Sequence, residues 1–84
     1  MHILVIGAGG VGSAVAAIAV RRDFFTALTI ADYELDRAER AIAALGDARL
    51  TAAQVDASDR AAVVDLITTI GATHVLNAVD PRFV

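Results

Sequence analysis

A short apolar run, Ile3-Leu4-Val5-Ile6, stops abruptly at Gly7-Ala8-Gly9-Gly10-Val11-Gly12. The run is β-branched at Ile3, Val5 and Ile6, which is how a strand buried on both faces reads. Glycines this dense are costly inside a helix, so the segment predicts a strand and then a tight turn. Val11, Ala14, Val15, Ile18 and Arg22 follow at helical spacing. They predict a helix with those apolar residues turned inward.

The rest of the chain repeats this alternation without repeating the sequence. Leu28-Thr29-Ile30-Ala31 predicts a second strand ending at Asp32. Leu35, Ala38, Ile42 and Leu45 mark a second helix, closed by Gly46 at the position a left-handed cap takes. Asp36 and Arg40 are spaced to pair on its wet face. Residues 50–55 predict a third strand. Ser58 is placed to cap a third helix with the inner stripe Val63, Leu66, Ile67 and Ile70, closed by Gly71. Thr73-His74-Val75-Leu76 predicts a fourth strand running into Asn77. The order βαβαβαβ predicts an α/β fold, a Rossmann-type parallel sheet with strand order 3-2-1-4 and helices on both faces.

Composition narrows what such a domain does. The chain has 84 residues, enough for one small core and a single domain. Hydrophobic residues make up 57%, which excludes a charge-rich disordered tail. The net charge of -3 excludes a nucleic-acid footprint. There is no Cys, which removes thiolate metal sites and a catalytic thiol. All seven cations are Arg, so no Schiff base forms on this chain. His2 and His74 lack the carboxylate spacing of a metal site. Residues 1–20 carry no formal charge and have the length of a membrane span. They lack the basic start of a signal peptide and are broken by four glycines, so neither a signal nor a membrane partner is expected.

The strand ends carry the candidate site. Gly7, Asp32, Asp56 and Asn77 stand at the C-terminal ends of the four predicted strands. In an open parallel sheet that edge is where ligands bind. Residues 7–12 fit G-x-G-x-x-G between a strand and a helix, the context that gives the pattern meaning. Gly7 allows the tight turn, Gly9 lets a pyrophosphate approach the backbone, and Gly12 lets the helix pack close to the sheet. The N–H groups of Gly10 and Val11 at the helix start then face the anion. Ser13 is either a phosphate contact or a small residue that permits packing.

Asp32 lies twenty residues after Gly12, where a carboxylate accepts from the adenosine ribose hydroxyls. Tyr33 is placed on the adenine side. Asp32 repels a 2′-phosphate, so NAD is expected, with NADP as the alternative. Arg37 and Arg40 are the nearby cations, and Arg37 is close enough to swing towards the ribose. Glycines spaced three apart, as in extended short-chain reductases, would put the third on Ser13, so that pattern fails.

Ile6-Gly7-Ala8-Gly9-Gly10-Val11-Gly12, Ala31-Asp32, Val55-Asp56-Ala57-Ser58-Asp59 and Val75-Leu76-Asn77-Ala78 with Pro81 together resemble the N-terminal cofactor domain of saccharopine dehydrogenase-like oxidoreductases. The resemblance spans the whole chain. It implies an NAD(P)-dependent, cytoplasmic oxidoreductase of amino-acid metabolism, acting on secondary amines. It also implies that Asp56 and Ala57 border the adenine and that Asn77 and Ala78 line the path to the nicotinamide. Asp80 stands where many members carry another proline. No catalytic residue carries over. The chain stops at Val84, so it reads as the cofactor part of a longer product whose small-molecule substrate and dimerisation domain are missing.

Two other resemblances compete. The glycine turn is similar to the ATP-binding turn of ubiquitin-activating-like adenylyltransferases. Those usually follow the acid with a second Asp and an Asn-Leu-x-Arg segment, whereas Tyr33-Glu34-Leu35-Asp36-Arg37 has no Asn, and the chain has no Lys for the triphosphate. It is also similar to nucleotide-sensing domains that gate potassium transport, which have no need of the Asn77-Ala78 segment. Phe24 and Phe25 are expected to close the base of the core. The fourth strand would be a sheet edge, so self-association as a homo-oligomer is expected.

Overall fold

The first apolar run forms β1 (His2–Ile6) and the glycine turn leads into α1 (Gly10–Ala19). β2 (Ala27–Asp32), α2 (Leu35–Leu45), β3 (Leu50–Gln54), α3 (Arg60–Ile70) and β4 (His74–Asn77) follow. A computed structural model describes residues 1–78; Asp80, Pro81 and Val84 lie outside the described residues. The four strands form one sheet in the order β3-β2-β1-β4, as predicted, and every pairing is parallel.

The reversal of strand order at β1 follows from the handedness of the crossovers. Moving from β1 to β3 in one direction puts α1 and α2 on one face. The return from β3 to β4 puts α3 on the other. Alternation along the strands divides the core in the same way. Val5, Leu28, Ile30 and Leu50 pack with Ala16, Ala19 and Ala38 of the first two helices. Leu4, Ile6, Ala31 and Val55 face Val63, Leu66, Ile67 and Ile70 of α3. Thr29, like Asp32 at the end of the same strand, is a buried polar residue. Its hydroxyl shares hydrogen bonds with His2 Nε2 at 2.8 Å and Thr51 Oγ1 at 2.9 Å, so it costs the core little.

The inner face of α1 differs from the expectation. Ala16 and Ala19 are buried, while Ile18 is 63% exposed and Ala14 is also exposed. Val15 is half-buried against the core. The reason lies at Gly12. A Cβ there would overlap the carbonyl oxygen of Gly7, so the helix runs against the strand backbone. At that separation only small residues fit inward, and the larger Ile18 is turned out.

Other local contacts settle the caps. α2 and α3 end at Gly46 (φ 63°) and Gly71 (φ 69°), both left-handed, as their positions predicted. The cap of α3 is Asp59, whose side chain accepts from Ala62 N–H at 3.1 Å; Ser58 does not cap it. The Asp36–Arg40 pair is not formed among the described residues, since Arg40 stays in solvent. Phe25 is buried at the base of the core, but Phe24 is exposed and meets it edge-on at 5.6 Å. Arg49 lies 4.1 Å over the Phe25 ring and donates to the carbonyls of Arg22 at 2.8 Å and Val20 at 3.1 Å. It also holds Asp47 at 2.7 Å. This guanidinium ties the α1–β2 connection to the α2–β3 connection. Asp47 is pulled down to about 2, chiefly by its hydrogen bond from the Arg49 side chain.

Candidate functional site

The C-terminal ends of β1, β2 and β3 open onto a cleft of about 330 Å³. Ile6 and Gly7 supply one wall and Asp32 and Tyr33 the floor. Val55, Asp56, Ala57 and Ser58 form the opposite wall, and Glu34 and Arg37 reach in from the start of α2. Strand order brings these segments together, because β1, β2 and β3 are adjacent and parallel.

The glycine turn is built as its residues require. Gly7 adopts φ 108°, a backbone state that L side chains rarely take. Its N–H donates to Ala31 O at 2.7 Å, which holds the turn against β2. Gly9 is the N-cap of α1, and no side chain caps that helix start. Gly10 and Val11 form its first turn; the Val11 side chain lies outside what is described. A Cβ at Gly9 would meet one near neighbour, Arg37 Nη2 at 3.3 Å, the far end of a long side chain. The backbone of the turn is therefore open to a ligand once Arg37 moves. Ser13 Oγ donates to Ala8 O at 2.8 Å, so the hydroxyl braces the turn.

Asp32 is more than a surface acceptor. It is 8% exposed, and both of its oxygens are engaged. Oδ1 accepts from Ala8 N–H at 2.9 Å, inside the glycine turn. Oδ2 accepts from Glu34 N–H at 3.0 Å, at the start of α2. Arg37 Nε stands 3.8 Å from the same Oδ2. One carboxylate thus joins the first turn, the second strand and the second helix.

The remaining predicted residues divide into two groups. Tyr33 is exposed at the cleft, and its carbonyl accepts from Gln54 Nε2 at 3.0 Å. Asp56 and Ala57 line the cleft. Asp56 Oδ1 accepts from the Ser58 hydroxyl at 2.6 Å and from its N–H at 2.9 Å, and these bonds hold the carboxyl below its usual range. Asn77 and Ala78 are at the same sheet edge but across β1 from the cleft. Asn77 lies in register with Ile6, and Ala78 N–H donates to Ile6 O at 2.7 Å. Ile6, Glu34, Val55 and Ser58 were not predicted; the last three lie within two residues of a strand-end acid and Ile6 directly precedes the glycine turn, which were the signals available.

A parallel sheet with a glycine turn at its first βα junction, a buried acid at the second strand end and a cleft between them defines a nucleotide-binding α/β domain. The family model of the saccharopine dehydrogenase NADP binding domain matches residues 3–83, and the chain belongs to that family. No curated protein matches the sequence. Among solved structures, the chain is similar to quinate dehydrogenase from Corynebacterium glutamicum in complex with NAD. The two share 27% identity and superpose with a TM-score of 0.71 over 99% of this chain. The chain spans 29% of that neighbour's length.

Proposed function

We propose that the chain binds a nicotinamide dinucleotide across the C-terminal edge of its sheet and serves as the cofactor domain of an oxidoreductase. The observation that carries this reading is the bond from Ala8 N–H to Asp32, which fixes the glycine turn and the ribose-side acid in one rigid frame. Gly7 and Gly9 leave the turn open to a pyrophosphate, and Gly10 and Val11 present the helix start to it. Asp32 keeps lone pairs for ribose hydroxyls beside the two N–H groups it already accepts. Tyr33, Asp56 and Ala57 border the adenine, and Asn77 with Ala78 lies towards the nicotinamide. When bound, the cofactor supplies hydride transfer; the chain's residues bind and orient it.

Family membership and the NAD complex of the structural neighbour both support a dinucleotide. The substrate class is a secondary amine or amino acid, handled by a further domain, in a cytoplasmic enzyme of amino-acid metabolism. The chain self-associates through β4, where Val75 and Leu76 stand 46% and 42% exposed on an edge strand. Calorimetric titration with NAD, NADP and ATP tests the reading. Saturable dinucleotide binding supports it; binding of ATP alone overturns it.

A further inference from the structure

Ala8 is held at both ends of its backbone by side chains from outside the turn. Its N–H donates to Asp32 Oδ1 at 2.9 Å, and its carbonyl accepts from Ser13 Oγ at 2.8 Å. Asp32 belongs to β2 and Ser13 to α1. The Asp32 bond fixes the Gly7–Ala8 peptide, and the Ser13 bond fixes the next one, Ala8–Gly9. That second peptide has an alternative open to it. A half-turn of its plane changes mainly ψ of Ala8 and φ of Gly9. Gly9 stands at φ -70°, and the half-turn carries it to positive φ, which glycine adopts about as readily. The glycine therefore leaves the orientation of this peptide to be set by its hydrogen bonds.

We propose that Ser13 is a positioning residue of the glycine turn: its hydroxyl holds the Ala8–Gly9 peptide so that the turn shows an N–H, and not a carbonyl oxygen, to the pyrophosphate. The proposal rests on dinucleotide binding at this turn. The peptide is planar and trans, so its N–H points opposite to its carbonyl. With the Ala8 oxygen drawn in against Ser13, the Gly9 N–H is turned away from that side chain. It then extends the run of N–H groups at Gly10 and Val11, and such runs form anion-binding hollows. Reversed, the same peptide presents a carbonyl oxygen to the phosphates, and the two repel. Ser13 does not touch the phosphates itself. A hydroxyl has one proton to donate, Ser13 gives it to Ala8, and a phosphate oxygen has none to offer in return. The two residues that hold Ala8 thus divide the work: Asp32 meets the ribose directly, whereas Ser13 acts through the backbone.

The test is calorimetric titration of the whole chain and of its Ser13→Ala and Ser13→Thr variants with NAD, at one salt concentration. Thermal melts confirm that the variants fold. The amide resonance of Gly9 in the nucleotide-free chains reports the orientation of the peptide. The expected result is a loss of about three- to tenfold in NAD affinity in Ser13→Ala, the size of one neutral hydrogen bond. Ser13→Thr keeps the hydroxyl and the wild-type affinity. The Gly9 signal is single and sharp in the wild type and Ser13→Thr, and broadened or doubled in Ser13→Ala. Unchanged affinity in Ser13→Ala, or a Ser13→Thr chain that binds as weakly as Ser13→Ala, overturns the role of Ser13 and leaves dinucleotide binding standing. Weakened binding with an unmoved, sharp Gly9 signal in Ser13→Ala does the same, since it marks direct contact with the phosphates. A wild-type chain that binds no NAD overturns both.

Discussion

The Asp32 carboxylate accepts a 2.9 Å hydrogen bond from the N–H of Ala8, twenty-four residues earlier in the chain. The residue we propose meets the ribose is therefore also the clamp of the glycine turn. Its second oxygen holds Glu34 N–H at the start of α2.

Replacing Asp32 by Ala consequently lowers stability as well as affinity. Two backbone donors lose their acceptor, and the Ala8 donor is buried. The expected loss is about 1–3 kcal/mol. Urea unfolding monitored by circular dichroism measures it. A variant as stable as the wild type would show that the clamp is not needed to hold the turn.

Gly12 and Gly9 separate packing from binding. A methyl group at Gly12 overlaps the Gly7 carbonyl, so Gly12→Ala forces α1 away from β1. The expected cost is about 1–3 kcal/mol, as for other overpacked sites. Gly9 has φ -70°, open to any residue, and a Cβ there meets a movable arginine. Gly9→Val keeps the fold and blocks the approach of a pyrophosphate. Thermal melts and titrations of the two variants should show opposite patterns.

Asp47 sets an acid limit. Its folded-state value is about 2, below the ordinary 3.8, because Arg49 hydrogen-bonds the charged form. Its contribution is complete above the ordinary value and is lost as pH falls from there through about 2. Asp47→Asn should therefore flatten the dependence of the melting temperature on pH in that window. Arg49→Ala should flatten it too. It should also lower the melting temperature near neutral pH, because Phe25 and the carbonyls of Val20 and Arg22 lose their partner.

The exposed edge predicts association. Sedimentation velocity over a concentration series should show self-association that Leu76→Lys on β4 weakens. A compact monomer at every concentration would contradict this.

The sheet and the cleft at the ends of its strands were legible because each depends on signals local to a few residues. Apolar runs ended by Gly7, Asp32 and Asp56 placed the strands, and Gly46 and Gly71 closed the helices. The handedness of the crossovers then ordered the strands 3-2-1-4. What escaped depended on distances between elements. The inward face of α1 departs from the hydrophobic pattern, which favours Ile18, because contact between the backbones at Gly12 and Gly7 buries the small Ala16 and Ala19 and leaves Val15 half-buried. Ser58 and Asp59 are both good caps; the Asp56 side chain takes Ser58, leaving Asp59 for the helix. The clamp from Asp32 to Ala8 has no sequence signal apart from the glycine turn itself.

The most direct measurement is titration of the wild-type chain and Gly9→Val with NAD and NADP, alongside their thermal melts. The account predicts that the wild type binds a dinucleotide saturably. It also predicts that Gly9→Val melts with it but no longer binds. Equal binding by both chains, or none by the wild type, would contradict a dinucleotide held at the glycine turn.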